Sequence, residues 1–445
     1  MAHCSYNQAL ARLDSLVNYE KQVRPRTPGF KLANIRRLLA WAGNPQAQLN
    51  NVILVAGTKG KGSVCYMIEA GLRGCGLKTG LFLSPHVTTV RERIQLAGRP
   101  ITSHQFSQTV GRLWPLVERQ PVSYFELTVA MAFDLFVRHR VDYAVVEVGL
   151  GGRLDATNLS HPQISVITRI GLDHVQTLGT TLRQIAREKA GIMRPGRPVV
   201  IAAQKREAFQ ELARACRQTK ALPIWVTART RVRGTRLLPS GVAFHLGIQN
   251  SEFRIRLPLL GRHQIENCRT ALCTLSTLAA QDPRIRLEPV IRALQHLSIP
   301  ARCQLVRKRP PIIVDSCHNP DSGLALARVI RDYVRSRVVL VYGSLTGKLV
   351  ETTVRPLKRW LAAAIVTAPD SPRAIPVAEL VHRLGRLGIQ AQAAANSRSA
   401  LRVAGAIAQG RRPIVVAGSF YLAAEVLAHL KHSRILDSLI PSVTV

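Results

Sequence analysis

The chain has 445 residues, with 62 Lys or Arg against 26 Asp or Glu, a formal net charge of +36. That length holds roughly two or three domains, and 47% hydrophobic with 20% charged residues is a globular composition. No apolar run approaches the roughly 18 residues of a membrane span, and MAHCSYNQALARLDSL lacks a signal-peptide core, so a soluble cytoplasmic protein is expected.

The cysteines at 4, 65, 75, 216, 268, 273, 303 and 317 form no C-x-x-C pair, which argues against a zinc site or a disulfide framework. The basic residues are dispersed along the chain, and aromatics make up only 5%. Nucleic-acid binding is therefore not expected as the primary function. An arginine-rich surface that suits an anionic ligand, or that simply follows composition, fits as well.

In chain order, NVILVAG (51–57) is an apolar run closed by glycine, and a helix is predicted from about Lys61 to Arg73. KTGLFLS (78–84), YAVVEVG (143–149), ISVITRI (164–170) and PVVIAA (198–203) read as further strands, with helical stretches such as 123–139 between them. Buried strands alternating with helices predict a parallel α/β sheet. Residues 225–257 change to short alternating segments with turn signals, a small antiparallel insert, and 261–280 reads as a helix. A second series, 312–316, 338–344, 363–369 and 413–419, predicts a smaller Rossmann-like domain, with the boundary placed between 298 and 299.

AGTKGKGSV (56–64) looks like a phosphate loop but fails the usual G-x-x-x-x-G-K-[ST] pattern at Val55 and Gly62. A turn of small residues after a buried strand aims backbone N–H groups at phosphate oxygens, and the next helix adds its positive end. Gly57, Gly60 and Gly62 keep side chains away, and Lys61 supplies a cation. The same residues could also make a plain solvated turn. Glu147 ends a strand as an acidic Mg²⁺ ligand does. The flexible loop 149–158 follows, and then Asp173 and His174, at the sheet edge where open α/β sheets bind ligands. Histidines in such places are often structural, but at the same edge as Ser84 and Glu147 a metal role is the expectation.

NYEK (18–21), GTKGKGS (57–63), SPHVTTVRERIQLAG (84–98), SYFE (123–126), VVEVGLGGRLDATN (145–158), GLDHVQTLGTTLRQIAREKAGIM (171–193), GRHQIENCRTAL (261–272), PARCQ (300–304), DSCHNPDS (315–322) and AGSFYLAAEV (417–426) appear in order across nearly the whole chain. Together they resemble the folylpolyglutamate synthase/dihydrofolate synthase family of Mur-ligase-type, ATP-dependent amide ligases. The family's loop is G-T-x-G-K-G-[ST], so the departures at Val55 and Gly62 are its own pattern.

The resemblance implies an α/β fold, a P-loop Mur-ligase-like domain (1–298) followed by a smaller Rossmann-like domain (299–445). It implies a monomer that uses ATP and Mg²⁺ to join L-glutamate to a tetrahydrofolate polyglutamate, to dihydropteroate, or to both, through an acyl phosphate. It assigns ATP to Gly57, Thr58, Lys59, Gly60, Lys61, Gly62, Ser63, Asn267, Arg302 and Asp315. It assigns Mg²⁺ to Ser84, Glu147, His174 and a carbamylated Lys189, and the pterin side to Ser123, Tyr124, Phe125, Glu126, Leu154, Asp155 and Ala156. Glutamate falls to His318 and Asn319. Lys61, Lys189 and His318 are the implied catalytic groups, and Phe30 and Lys31 are candidates for the pterin pocket. A Mur-type ligase for another carboxylate and amine, or a non-catalytic basic relative, are the competing readings.

The departures fall in the second domain. Ser316 and Cys317 replace the Gly-Ala of D-G-A-H-N, and Ala301 replaces the glycine of P-G-R. Gly347 and Leu349 flank Lys348 where D-K-D is expected. A glycine with positive φ at 316 would make Ser316 a point of strain.

Overall fold

The computed structural model describes residues 4–20 and 32–432; Lys21, Phe30 and Lys31 lie outside them. The first sheet contains β1 (Val52–Ala56), β2 (Thr79–Phe82), β3 (Ile94–Leu96), β4 (Arg99–Pro100), β5 (Tyr143–Glu147), β6 (Pro162–Ile167), β7 (Pro198–Ile201) and β8 (Leu222–Trp225), in the order β4-β3-β2-β5-β1-β6-β7-β8. β2, β5, β1, β6, β7 and β8 are parallel; β3 and β4 form an antiparallel edge. β1, VILVA, is buried at every position, because helices cover both faces of a parallel sheet. Two apolar cores form, one on each face.

β9 (Thr230–Leu238), β10 (Gly241–Ile248) and β11 (Ser251–Leu257) form the expected antiparallel insert, in the order β11-β10-β9. Val242, Phe244, Leu246, Ile248, Ile255 and Leu257 point into the core shared with helix His263–Ala279.

The second domain contains β12 (Gln304–Lys308), β13 (Pro311–Val314), β14 (Val338–Tyr342), β15 (Leu361–Val366), β16 (Ala391–Ala393) and β17 (Ile414–Ala417), in the order β12-β13-β17-β14-β15-β16. All pair in parallel except β12 with β13. The chain crosses from one core to the other at Pro300: Ile299 packs in the first domain and Ala301 in the second.

Several helices begin with a side-chain cap. The side chains of Thr102, Ser123, Thr181, Asn319 and Asn396 each accept the N3 backbone N–H, and their own backbone N–H donates to the N3 side chain in return. Helix Lys61–Gly74 has no side-chain cap and starts on Gly60, a glycine in the left-handed region.

Candidate active site

β1 sits between β5 and β6 in the sheet, and the loop at its carboxyl end occupies the crevice where such folds bind ligands. Backbone pairing fixes this loop. The Thr58 and Lys59 N–H groups both donate to Arg169 O at 3.1 Å, and Thr58 Oγ1 donates to Gly171 O at 3.1 Å. Two glycines are obligatory. Gly57 has φ +148 and a Cβ there would lie 1.8 Å from Thr168 Oγ1; Gly60 has φ +88 and its Cβ would lie 2.3 Å from Asn267 Oδ1. Asn267 thus packs against the loop, its Nδ2 donating to Gln264 Oε1 at 2.9 Å. The uncapped first turn that follows leaves its N–H groups available to an anion.

Lys61 Nζ lies 3.8 Å from Glu147 Oε1, and Glu147 Oε2 accepts the Ser84 N–H at 3.2 Å. Burial raises the Glu147 carboxyl, while the Lys61 and Arg302 charges pull it back. Lys189 is buried, its Nζ donating to Gly151 O at 3.5 Å. Burial, reinforced by the positive charge of Lys61, lowers its ammonium to about 7. Lys59 pairs with Asp173 at 3.2 Å. Burial raises the Asp173 carboxyl, but Lys59 and His174 outweigh it and hold the group well below the carboxylate range. His174 starts a short helix with φ 49; its side chain is 55% exposed, and partial loss of water together with the Lys348, Lys61 and Lys189 charges, opposed by Asp173, lowers its imidazole.

The second domain closes the other side. Arg302 donates from Nη1 to Ser316 Oγ at 3.4 Å and lies 5.0 Å over the Phe420 ring. His318 Nδ1 bonds Ser316 O at 2.8 Å, and burial plus the Lys348 charge lowers the ring to about 3. Burial also lowers Lys348, which feels Asp173 across the cleft. The first domain therefore contributes Lys59, Lys61, Glu147, Asp173, His174 and Lys189, and the second adds Arg302, His318 and Lys348.

Other expected residues hold the frame. Asp315 accepts the Cys303 N–H at 2.7 Å and its thiol at 3.3 Å. Asn319 caps helix Pro320–Val329. Ser123 and Glu126 spend their polar atoms capping helix Tyr124–Arg138. Tyr124 is buried, Phe125 lies against Phe82, and Ala156 is buried. Leu154 is half-buried. Asp155 takes the Leu150 and Thr157 N–H groups, fixing the loop 149–158. Ser63 is buried in the first turn of its helix.

The expected strain is displaced. Positive φ occurs at Ala301 (53°) and Cys303 (47°), and Ser316 does not carry it. The hydroxyl at 316 instead anchors Arg302, a role glycine cannot fill. The Cys317 thiol is buried and pushed far up, which leaves it inert.

An arginine network joins the domains and was not singled out as a site from sequence. Arg93 is buried; its Nη1 donates to Glu20 Oε1 at 3.0 Å, its Nε bonds His86 Nδ1 at 2.9 Å, and it lies 5.2 Å over Tyr124. Arg373 of the second domain donates to Glu20 O at 3.0 Å and Thr346 O at 3.1 Å. NYEK and RER carried the first two residues, but nothing local marks their meeting with Arg373.

The donors fit a magnesium-type cation in a specific way. Glu147 and Ser84 supply hard oxygen chemistry beside the loop, but no cluster of three His, Cys, Asp or Glu exists among the described residues. Such a cation would be completed by phosphate oxygens and water, as Mg²⁺ usually is.

The Mur ligase middle domain model matches residues 55–275 and the Mur ligase glutamate ligase domain model matches 301–420. A Bacillus subtilis dihydrofolate synthase/folylpolyglutamate synthase is 32% identical over 354 residues, covering 77% of this chain and 82% of that protein. The Mycobacterium tuberculosis folylpolyglutamate synthase complexed with ADP and AMPPCP superposes with a TM-score of 0.86 at 30% identity, over 96% of this chain and 100% of that one. The Yersinia pestis bifunctional folylpolyglutamate synthase/dihydrofolate synthase complexed with AMPPNP and Mn ion gives 0.82 at 26% identity, over 96% and 98%.

Proposed function

The chain belongs to the folylpolyglutamate synthase/dihydrofolate synthase family, and from that membership and the cleft geometry we propose that it ligates L-glutamate to a folate, to dihydropteroate, or to both, splitting ATP to ADP and phosphate. The observation that carries the proposal is the uncapped loop–helix junction at Gly60, with Lys61 and Glu147 facing each other beside it.

A carboxylate is a poor acyl donor, so it first attacks the γ-phosphorus of ATP and ADP leaves. Lys61 and the loop N–H groups hold the phosphates in line and carry charge that develops on them. Mg²⁺, when bound at Glu147 and Ser84, supplies Lewis-acid neutralisation of the phosphate oxygens; His174 is assigned to a cation through the resemblance alone. Arg302 brings a second cation from the other domain, so closure of the cleft completes the site. The amine of glutamate then attacks the acyl phosphate, an amide forms and phosphate leaves.

His318 holds its Nδ1 proton on Ser316 O, which leaves Nε2 as an acceptor. With the ring lowered to about 3, it orients the amine without keeping its proton. Lys189, lowered to about 7, is substantially neutral at physiological pH. A neutral amine adds to CO₂ and releases a proton, giving a carbamate. The anion would answer the positive field of Lys61 and Lys59, which the ammonium only worsens. We assign the pterin side to the loop 149–158 and the start of helix Tyr124–Arg138, as frame and wall.

Both halves of the cleft come from one chain, which supports a monomer. The free cysteines among the described residues suit the reducing cytoplasm, and no helix there is long and apolar enough to cross a membrane.

The test supplies purified protein with ATP, Mg²⁺ and glutamate, and adds dihydropteroate or tetrahydrofolate in separate reactions. Phosphate release above background with at least one acceptor is expected. Background release with both would overturn the assignment.

A further inference from the structure

The insert β9–β11 has one face in the core and one in water. Its outer face gathers arginines that are scattered in sequence. Pairing sets Arg236 and Arg256 on either side of Ala243, Arg233 and Arg254 on either side of His245, and Arg231 and Glu252 on either side of Gly247. All five arginines are exposed. None of them forms an ion pair or a side-chain hydrogen bond among the described residues, and Glu252 is the sole acid in the array.

The alignment depends on a bulge. Arg233 and Arg236 are three apart, so a regular strand would turn them to opposite faces. The register between β9 and β10 shifts between Ala243 and His245, and Gly234, at φ +59, takes up the extra residue. Arg231, Arg233 and Arg236 thus form one column on β9, and Arg254 and Arg256 a second on β11. Strand geometry puts the columns roughly 9–10 Å apart and neighbours within a column roughly 7 Å apart. The strand between carries Ala243 and Gly247, with the exposed His245 imidazole between them, so the space between the columns is shallow at either side of His245.

We propose that this face docks the phosphate backbone of double-stranded nucleic acid. Guanidinium groups grip phosphates with paired N–H donors, and an excess of +36 draws a polyanion from a distance. Other anionic partners fit worse. The face shows no Phe, Tyr or Trp platform for a run of single-stranded bases; its one ring is the His245 imidazole between Arg233 and Arg254. It has no large apolar group to enter a membrane interface, and no apolar anchor for an acidic protein. The arginines do not support the fold, since the inner side of the sheet makes the core.

The test is fluorescence anisotropy of the full chain with short labelled duplex RNA and duplex DNA, across a salt series. With five phosphate contacts, the log–log dependence of the association constant on salt has a slope of about −4.5. The triple variant Arg233→Gln/Arg254→Gln/Arg256→Gln should bring it to about −1.8, with ATP-dependent ligation and melting temperature unchanged. A control, Arg217→Gln/Arg398→Gln/Arg402→Gln, removes the same charge from exposed helical sites elsewhere and should leave binding close to wild type. The single charge reversal Arg254→Glu gives a second reading if the triple variant is poorly expressed. Absence of duplex binding, equal loss in the control, or stronger binding to single strands, anionic vesicles or polyglutamate would each overturn the proposal.

Discussion

Lys61 Nζ stands 3.8 Å from Glu147 Oε1, the first residue of one helix facing the last residue of the neighbouring strand. Both side chains are largely shielded from water, and the Lys61 charge offsets the cost of burying the Glu147 carboxylate.

Lys61→Met should lower ATP-dependent phosphate release by roughly 10³-fold or more, since it removes a cation aimed at the transition state. Lys61→Arg should recover little, because a planar fork does not occupy the place of a compact ammonium. Steady-state phosphate release checks both, and a Lys61→Met enzyme with near-normal turnover would sink the assignment.

Arg93 is only 1% accessible at its side chain, whereas Glu20 is 35% accessible. Glu20→Ala strands a buried cation and should cost about 1–3 kcal/mol, less than for a fully buried pair because water screens Glu20. Glu20→Ala/Arg93→Met should regain most of that loss. Chemical denaturation of the two single variants and the double variant measures the coupling; strictly additive losses would rule it out.

His318 is lowered to about 3 by burial and by Lys348, against about 6.5 in an unfolded chain. Above pH 6.5 the ring is neutral in both states and contributes no pH dependence. As pH falls from 6.5 toward 3 the unfolded chain takes the proton first, so stability is lost progressively. Relative to neutral pH, His318→Gln should lose on the order of 1–2 kcal/mol less than wild type at pH 5. Parallel denaturation series at pH 7 and pH 5 read the difference, and identical losses in both proteins would contradict it.

Lys189→Ala should reduce ligation by roughly 10²-fold or more, as loss of a positioned charge does. If the working form is a carbamate, formate or acetate should restore part of the rate by placing a carboxylate in the space left. Chloride at equal ionic strength should not. Rescue by neither carboxylate would argue for a plain ammonium at this position.

The glycine loop and its acidic neighbour were legible because each is local in the chain. The loop is a strand end, a turn and a helix start within a dozen residues, and Glu147 is an acid closing an apolar run. Other features depend on partners far away. Glu20, Arg93 and Arg373 meet only once both domains are folded. The edge strands Ile94–Leu96 and Gln304–Lys308 are short and partly polar, so they show no buried run. Ser316 and Ala301 illustrate a different limit: residue identity does not reveal the sign of φ, and the strained position proved to be the alanine. The spacing of Ser123 and Glu126 is that of a capping box, a reading available from sequence beside the pterin assignment.

The bare start of helix Lys61–Gly74 has a consequence for how the protein persists in a cell. Several helices complete their starts with their own serines, threonines and asparagines; this one starts on a left-handed glycine, and under the proposed function its first N–H groups are completed by the nucleotide's phosphates. Nucleotide then acts as a structural part that the gene does not encode. Its binding free energy adds to the folding free energy by mass action, so durability follows the energy charge of the surroundings. Starvation would slow the enzyme twice, by withholding its fuel and by loosening the end of the helix that receives it.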